Sequence, residues 1–398
     1  MTKELLLGAH MSIAGGVHMA IERACSINCT AMQIFVKNNM QWFARPLSTD
    51  EIRAFLDHQQ RAQLGSVFAH ANYLINLAAT NPQFHANSLR ALAEELIRAD
   101  HLGLPFLVMH PGAHLGAGEE AGLEKITASI DAIWRVIPKV KTKIALETTA
   151  GQGSCLGHRF DHIAHIIANV REPERICICL DTAHIFAAGY DIGSENAAKK
   201  TFRKFDRIIP QARDRLVAIH LNDSKAARGS RVDRHAHIGK GKIGLAAFRF
   251  IMNEPRFGKI PKVLETPKGK ELKEDVENLR TLRRLIASPT RSPERKQGTS
   301  PTLVGSHKVL CVTRAFERSL VVWATRDDGV AIAIRNVTRE FALCRSQKKS
   351  RLSLAQTRES GSKLRDSLRR RAFACSSARA MRKPVVPRHR KSDQRQRF

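Results

Sequence analysis

The chain has 398 residues, enough for one large barrel or two ordinary domains, and its 43% hydrophobic content suits a core that needs no staples. The formal net charge is +29 but unevenly spread: residues 288–398 carry 27 basic and 8 acidic residues, residues 1–287 carry 39 and 29. No apolar run approaches the roughly 18–20 residues that span a bilayer, and MTKELLLGAHMSIAGG makes a poor signal peptide, so no membrane partner and a cytoplasmic location are expected.

In chain order, short apolar runs alternate with longer amphipathic segments, the rhythm of a parallel sheet. The runs are LLLGAH (5–10), AMQIFV (31–36), SVFAH (66–70), FLVMH (106–110), KIALET (143–148), ICICLD (176–181), LVAIHL (216–221) and KVLET (262–266). Each gap has room for one helix. SLRALAEELIRADHLG (88–103) illustrates it, with Leu89, Leu92, Leu96 and Ile97 on one face and Gly103 as a stop. A last helix near 271–286 closes the series. Eight strands with eight helices predict a (β/α)₈ TIM barrel over residues 1–287. A doubly wound open sheet is the alternative, but it seldom runs to eight consecutive units, and the first turn lacks GxGxxG.

Beyond Ile286, SPTRSPERKQGTSPT reads as a linker into a basic C-terminal extension, 288–398. It holds two apolar patches, 308–313 and 319–334, the second with an Asp-Gly hairpin signal. From Arg345 the composition is that of a disordered segment. The extension reads as a nucleic-acid- or ribosome-contacting arm or as sequence with no selected function. The eight cysteines include no CxxC pair and read as reduced thiols.

The chemistry sits at the strand ends. Six of the eight runs close on a His or carboxylate: His70, His110, Glu147, Asp181, His220 and Glu265. In a parallel barrel all those ends open on one rim. Alternation places Ala145 and Ala218 inside the barrel with Glu147 and His220. Two loops add His184, three residues after Asp181, and Asp233 with His235, two apart. One His or Asp at a strand end is usually a hydrogen-bonded structural residue; six such His and carboxylate residues at one rim with DxxH and DxH are not. Five His and four carboxylates form an N/O set that suits Zn²⁺, Mn²⁺ or Fe²⁺ over Ca²⁺ or Mg²⁺. Nine ligands exceed one tetrahedral site and fit three metals with a bridging carboxylate. His237 could share a face with Asp233 and His235, His10 and His114 lie near the rim as supporting residues, and Gly239-Lys240-Gly241 is a weak signal for close approach to phosphate.

Long ordered motifs here resemble the endonuclease IV family of apurinic/apyrimidinic endonucleases. They are GAHMSIAGG (8–16), HANYLINLA (70–78), HPGAH (110–114), ETTAGQGSCLG (147–157), LDTAHIFAAGYD (180–191), HLNDSK (220–225), SRVDRHAHIGKGKIG (230–244) and LETP (264–267), covering residues 4–285. The resemblance implies three Zn²⁺ per chain, with Mn²⁺ as an alternative occupant. One would lie on His70, His110 and Glu147, a second on Glu147, Asp181, His220 and Glu265, and a third on His184, Asp233 and His235, making Glu147 the central catalytic ligand. It further implies a monomer associated with the nucleoid that cuts duplex DNA 5′ of abasic sites, leaving a 3′-OH and a 5′-deoxyribose phosphate, and that trims blocked 3′ ends. Tyr73, Leu74 and the loop KNNMQW (37–42) match the family's DNA wedge, which makes Lys37, Met40, Tyr73 and Leu74 the expected DNA contacts. Met40 stands where some members carry Arg, so apolar filling replaces a charged contact there. Against this stand a metal-dependent sugar isomerase, which needs fewer ligands and a free acid/base, and a non-catalytic nucleic-acid binder driven by the basic tail.

Overall fold

The computed structural model describes residues 5–286; the extension 288–398, with its linker, its hairpin signal and its expected disorder, lies outside the described residues. All eight apolar runs become strands: β1 Leu7–Met11, β2 Ala31–Phe35, β3 Ser66–His70, β4 Phe106–Met109, β5 Lys143–Glu147, β6 Ile176–Asp181, β7 Leu216–His220 and β8 Lys262–Leu264. Each pairs in parallel with its neighbours in sequence, and β1 also pairs with β8, so the sheet closes into the predicted (β/α)₈ barrel.

The period of two along each strand divides the side chains between two cores. Outward residues such as Ile144, Leu146 and Ile219 pack under the helices, while inward ones fill the barrel with Phe68, Phe106, Val108, Ala145, Cys177, Cys179, Ala218 and Val263. Phe68 and Phe106 stack at 4.8 Å within that plug. The interior is therefore a packed floor. Two residues beyond this plug, at the end of six of the eight strands or one residue past it, lie His70, His110, Glu147, Asp181, His220 and Glu265.

The helices are α1 Met19–Ser26, α2 Thr49–Ala62, α3 Pro82–His101, α4 Glu119–Val136, α5 Phe160–Asn169, α6 Thr182–Ala187, α7 Glu195–Ile208, α8 Ala212–Arg215, α9 Leu245–Asn253 and α10 Lys273–Arg284. Caps set several starts. Ser48 and Glu51 form a capping box on α2, and Ser194 accepts from the Ala197 N–H on α7. α3 begins six residues before the predicted 88, because Asn81 caps it and Pro82 takes its first position. Its buried face also differs from the expected leucine stripe: Ser88, Ala91, Leu92, Glu95, Leu96 and Ala99 are inside, while Leu89 and Ile97 are half-buried. Among the described residues no helix is long and apolar enough to cross a membrane.

Candidate metal centre

Glu147, at the end of β5, is wholly buried and sits among four imidazoles. Its Oε2 lies 3.2 Å from Nε2 of both His70 and His110, and its Oε1 lies 2.8 Å from His220 Nδ1 and 3.3 Å from His184 Nδ1. His220 Nδ1 is also 3.0 Å from Glu265 Oε2 and 3.8 Å from Asp181 Oδ2. On the far side, His184 Nε2 lies 3.1 Å from Asp233 Oδ2, and His235 Nε2 lies 3.3 Å from Asp233 Oδ1 and 3.7 Å from Asp181 Oδ2. The nine predicted residues thus meet at one rim in three groups. Ligand atoms come within 4.8 Å of one another in His70/His110/Glu147, in Glu147/Asp181/His220/Glu265 and in Asp181/His184/His235. Asp233 touches both histidines of the last group.

The donor set fits metal ions by a test independent of spacing. A metal-ligating imidazole gives its other N–H to a fixed acceptor. His70 Nδ1 donates to the Ala71 carbonyl at 2.6 Å, His184 Nδ1 to Thr148 at 2.8 Å and His235 Nδ1 to Glu265 at 3.2 Å. Each therefore turns Nε2 into the cluster. Asp181 is held by two functions at once, since its Oδ1 caps α6 by accepting from the His184 N–H at 2.8 Å.

Electrostatics points the same way. Burial alone would raise the Glu147 carboxyl, but the charges of His220 and His110 and hydrogen bonds from His110 and His184 hold it well below the usual range. Burial would lower His184, yet Asp181 and Asp233 push it well above 6.5. Asp233, raised by burial, is drawn down to about 2 chiefly by His184 and His235. The pocket carries enough negative potential to keep buried imidazoles protonated, so cations belong there.

A family model described as a xylose isomerase-like TIM barrel matches residues 21–283. The chain is 49% identical over 282 residues to a probable endonuclease 4 of Chloroflexus aurantiacus, covering 70% of this chain and 97% of the relative. It is 47% identical over 284 residues to a probable endonuclease 4 of Geobacter sulfurreducens, covering 71% and 95%. The crystal structure of endonuclease IV from Thermus thermophilus superposes with a TM-score of 0.62 at 35% identity, covering 70% of this chain and 98% of that one. The chain belongs to the endonuclease IV family.

Within that family frame the expected DNA contacts separate. Tyr73 is 60% exposed on the rim, its ring edge-on to Phe35 at 5.5 Å and 5.6 Å from His70. Met40, at the tip of the loop after β2, is 75% exposed, and Leu74 beside Tyr73 is half-buried. Lys37 is a correction. It is buried, its Nζ 3.0 Å from Glu95 Oε1 and donating to the Trp42 carbonyl at 2.5 Å, so it fastens the β2 loop to α3 and offers DNA no cation.

The remaining open positions also resolve. His237 accepts at Nδ1 from Asn278 at 3.1 Å and belongs to no ligand group among the described residues. His114 caps the turn before α4 by accepting from the Gly118 N–H. Burial pushes His10 down to about 4, despite Glu265, and the neutral ring accepts from Gln33 at 2.8 Å. In the Gly239-Lys240-Gly241 segment the two glycine N–H groups go to Asp223, each at 3.0 Å, and the Lys240 N–H to the His237 carbonyl, so the turn cradles a carboxylate of its own chain rather than a phosphate. A Cβ on Gly241 would lie 2.4 Å from Asp223 Oδ1, which explains that glycine.

Two residues of the centre escaped the sequence reading. Gln33 reaches His10, His220 and Glu265 from the middle of β2; its signal is a lone amide in an apolar run, at an inward position. Asn222, two residues past His220, donates to Asp181 Oδ2 at 2.6 Å and accepts from the Glu265 N–H at 2.8 Å. A further cluster, Glu119 with His158 and His162, lies apart from this centre and already holds a cation, Arg159, 3.2 Å from Glu119.

Proposed function

We propose that this chain is a DNA-repair nuclease that hydrolyses the phosphodiester 5′ of abasic sites in duplex DNA and trims blocked 3′ ends, using three Zn²⁺ with Mn²⁺ as an alternative occupant. The observation that carries the reading is Glu147, buried with both oxygens shared among four histidines at the junction of the ligand groups. Zinc bound there supplies Lewis acids for phosphate oxygens and a water acidic enough to ionise near neutral pH. His70, His110 and Glu147 would hold one ion, Glu147, Asp181, His220 and Glu265 the second, and His184, Asp233 and His235 the third. Backbone carbonyls keep three of the five imidazoles turned inward, so little reorganisation is needed when substrate arrives.

Burial raises every cysteine among the described residues, half-buried Cys155 included, so none of them is an activated nucleophile. Cys179 lies inside the barrel, its thiol pushed up to about 12 by burial, and Cys177 is raised for the same reason. Tyr73, Leu74 and Met40 would fill the gap left by a missing base, where the lost stacking and pairing make extrusion cheap; the exposure of Tyr73 and Met40 supports this. The sugar-isomerase alternative needs a free acid/base at the rim. All five rim histidines in the ligand groups are engaged, and Lys37 and Lys268 are paired with Glu95 and Asp275.

The test is a duplex carrying one abasic site, incubated with the full-length chain before and after removal of its metals. Metal-dependent nicking that leaves a 3′-OH and a 5′-deoxyribose phosphate is expected, by a monomer in sedimentation. Metal-replete protein that leaves the duplex intact and interconverts aldose and ketose sugars would overturn the reading.

A further inference from the structure

Of the imidazoles at the rim, His70, His184 and His235 are oriented by backbone carbonyls, which no substitution at another position removes. His220 differs: its fixing partner is a side chain, Gln33, which is fully buried. The hydrogen bonds of that amide leave one consistent arrangement. Its nitrogen lies 2.6 Å from Glu265 Oε1, and a carboxylate there can only accept, so this end must be the NH₂. Flipping the amide would set two acceptors face to face at that distance. The carbonyl oxygen is therefore the atom 2.8 Å from His220 Nε2, and a carbonyl cannot donate. His220 must carry a proton on Nε2, which leaves Nδ1 to face Glu147 Oε1 at 2.8 Å and Glu265 Oε2 at 3.0 Å. The second N–H of the amide is taken by His10 Nδ1 at 2.8 Å. No capacity to turn is left.

We propose that Gln33 is the positioning residue of the four-ligand group: one buried amide on β2 fixes the tautomer of His220 at the end of β7 and the carboxylate of Glu265 just past β8, and so sets how tightly that group holds its ion. The inference rests on the metal-centre reading above. Gln33 makes no direct hydrogen bond to the other two ligand groups, which share with the four-ligand group only Glu147 and Asp181. Its removal therefore weakens one ion selectively. Outer partners of metal ligands commonly account for about 10–100-fold in affinity.

The experiment compares the zinc-loaded full-length chain with Gln33→Leu, similar in volume but without polar atoms, and Gln33→Glu, which keeps an oxygen toward His220 but replaces the donor to Glu265. Zinc per chain is measured after equilibration with graded chelator, and the metal-free forms are melted. In both variants one equivalent is expected to leave at a chelator concentration about 10–100-fold below that for wild type, with the rest released as in wild type. Melting of the metal-free forms should change little. Release curves that superimpose on wild type would overturn the proposal. So would parallel loss of every equivalent together with a lower-melting metal-free protein, since that marks a merely structural glutamine. Wild-type protein that takes up no zinc would instead remove the metal-centre reading, and the inference with it.

Discussion

Replacing Tyr73 with Ala isolates recognition from chemistry. The ring is 60% exposed, and its ring contacts are Phe35, edge-on at 5.5 Å, and the imidazoles of His70 at 5.6 Å and His110 at 6.4 Å. One such pair contributes about 0.5–1.5 kcal/mol, and in a barrel of this size about 1 kcal/mol moves the melting point by roughly 2–4 °C. Stability should therefore barely change. An aromatic that stacks in a nucleic-acid gap contributes about 1–3 kcal/mol, which at about 1.4 kcal/mol per decade is roughly 5–150-fold in affinity. The ring would occupy the gap in both the bound substrate and the transition state, so KM should rise by that factor with kcat nearly unchanged. Steady-state nicking of a duplex with one abasic site measures both, with Tyr73→Phe expected to behave as wild type. A kcat/KM for Tyr73→Ala within twofold of wild type would refute the wedge. A collapse of kcat accompanied by metal loss would show that the ring instead supports His70, whose imidazole lies 5.6 Å away.

Glu147→Gln removes a buried charge shared by two ligand groups; breaking a buried pair costs about 3–5 kcal/mol, so zinc affinity should fall roughly 10²–10⁴-fold, and wild-type zinc content in the purified variant would contradict the bridging role. Lys37→Ala strands Glu95 without its cation and should destabilise the fold by about 3–5 kcal/mol while leaving the salt dependence of DNA binding unchanged; a shallower salt slope would restore Lys37 as a phosphate contact. Stability should depend on pH in opposite senses with and without metal. His184 and His220 are raised well above 6.5, against the burial that would lower them, His184 chiefly by Asp181 and Asp233 and His220 by Cys179, Glu265 and Glu147. Their contribution to the metal-free chain is complete below about 6.5 and lost as pH rises through the raised values. In the zinc-loaded chain the ions replace those protons, so stability should rise over the same window. Melting series on both forms check this, and parallel trends would count against it.

The barrel was legible because its strands are buried on both faces. They read as continuous apolar runs, and a polar residue closing such a run is conspicuous. The candidate ligands at those closing positions, from His70 to Glu265, therefore stand out, and His184, Asp233 and His235 follow from short spacings in loops. Gln33 did not stand out because it lies inside its run, where an amide is easily passed over. Lys37 was misread for a different reason: its partner Glu95 comes from the helix after the next strand, and only the folded chain brings the two together. The same holds for the Gly239-Lys240-Gly241 turn, whose glycine N–H groups close on Asp223. Local pattern shows which groups could meet a ligand. It does not show which are already satisfied by the protein itself.

The placement of charge carries a last consequence. A net charge of +29 suits a polyanionic partner, yet the rim a phosphate would approach carries Glu147, Asp181, Asp233 and Glu265. In the metal-free chain the protonated His184 and His220 offset only part of these four carboxylates, which leaves no positive field for DNA at that point, whatever the basic surface elsewhere does. Three divalent ions would outweigh four carboxylates and reverse the local sign. Under the proposed function, metals would then be needed for abasic-site recognition as well as for chemistry. Metal-free full-length chain should still bind duplex through its basic residues but lose its preference for an abasic over an intact duplex. Competition anisotropy with the two duplexes measures that ratio. An undiminished preference after complete removal of zinc would show that Tyr73 and its neighbours suffice for recognition and that the ions act on the bond alone.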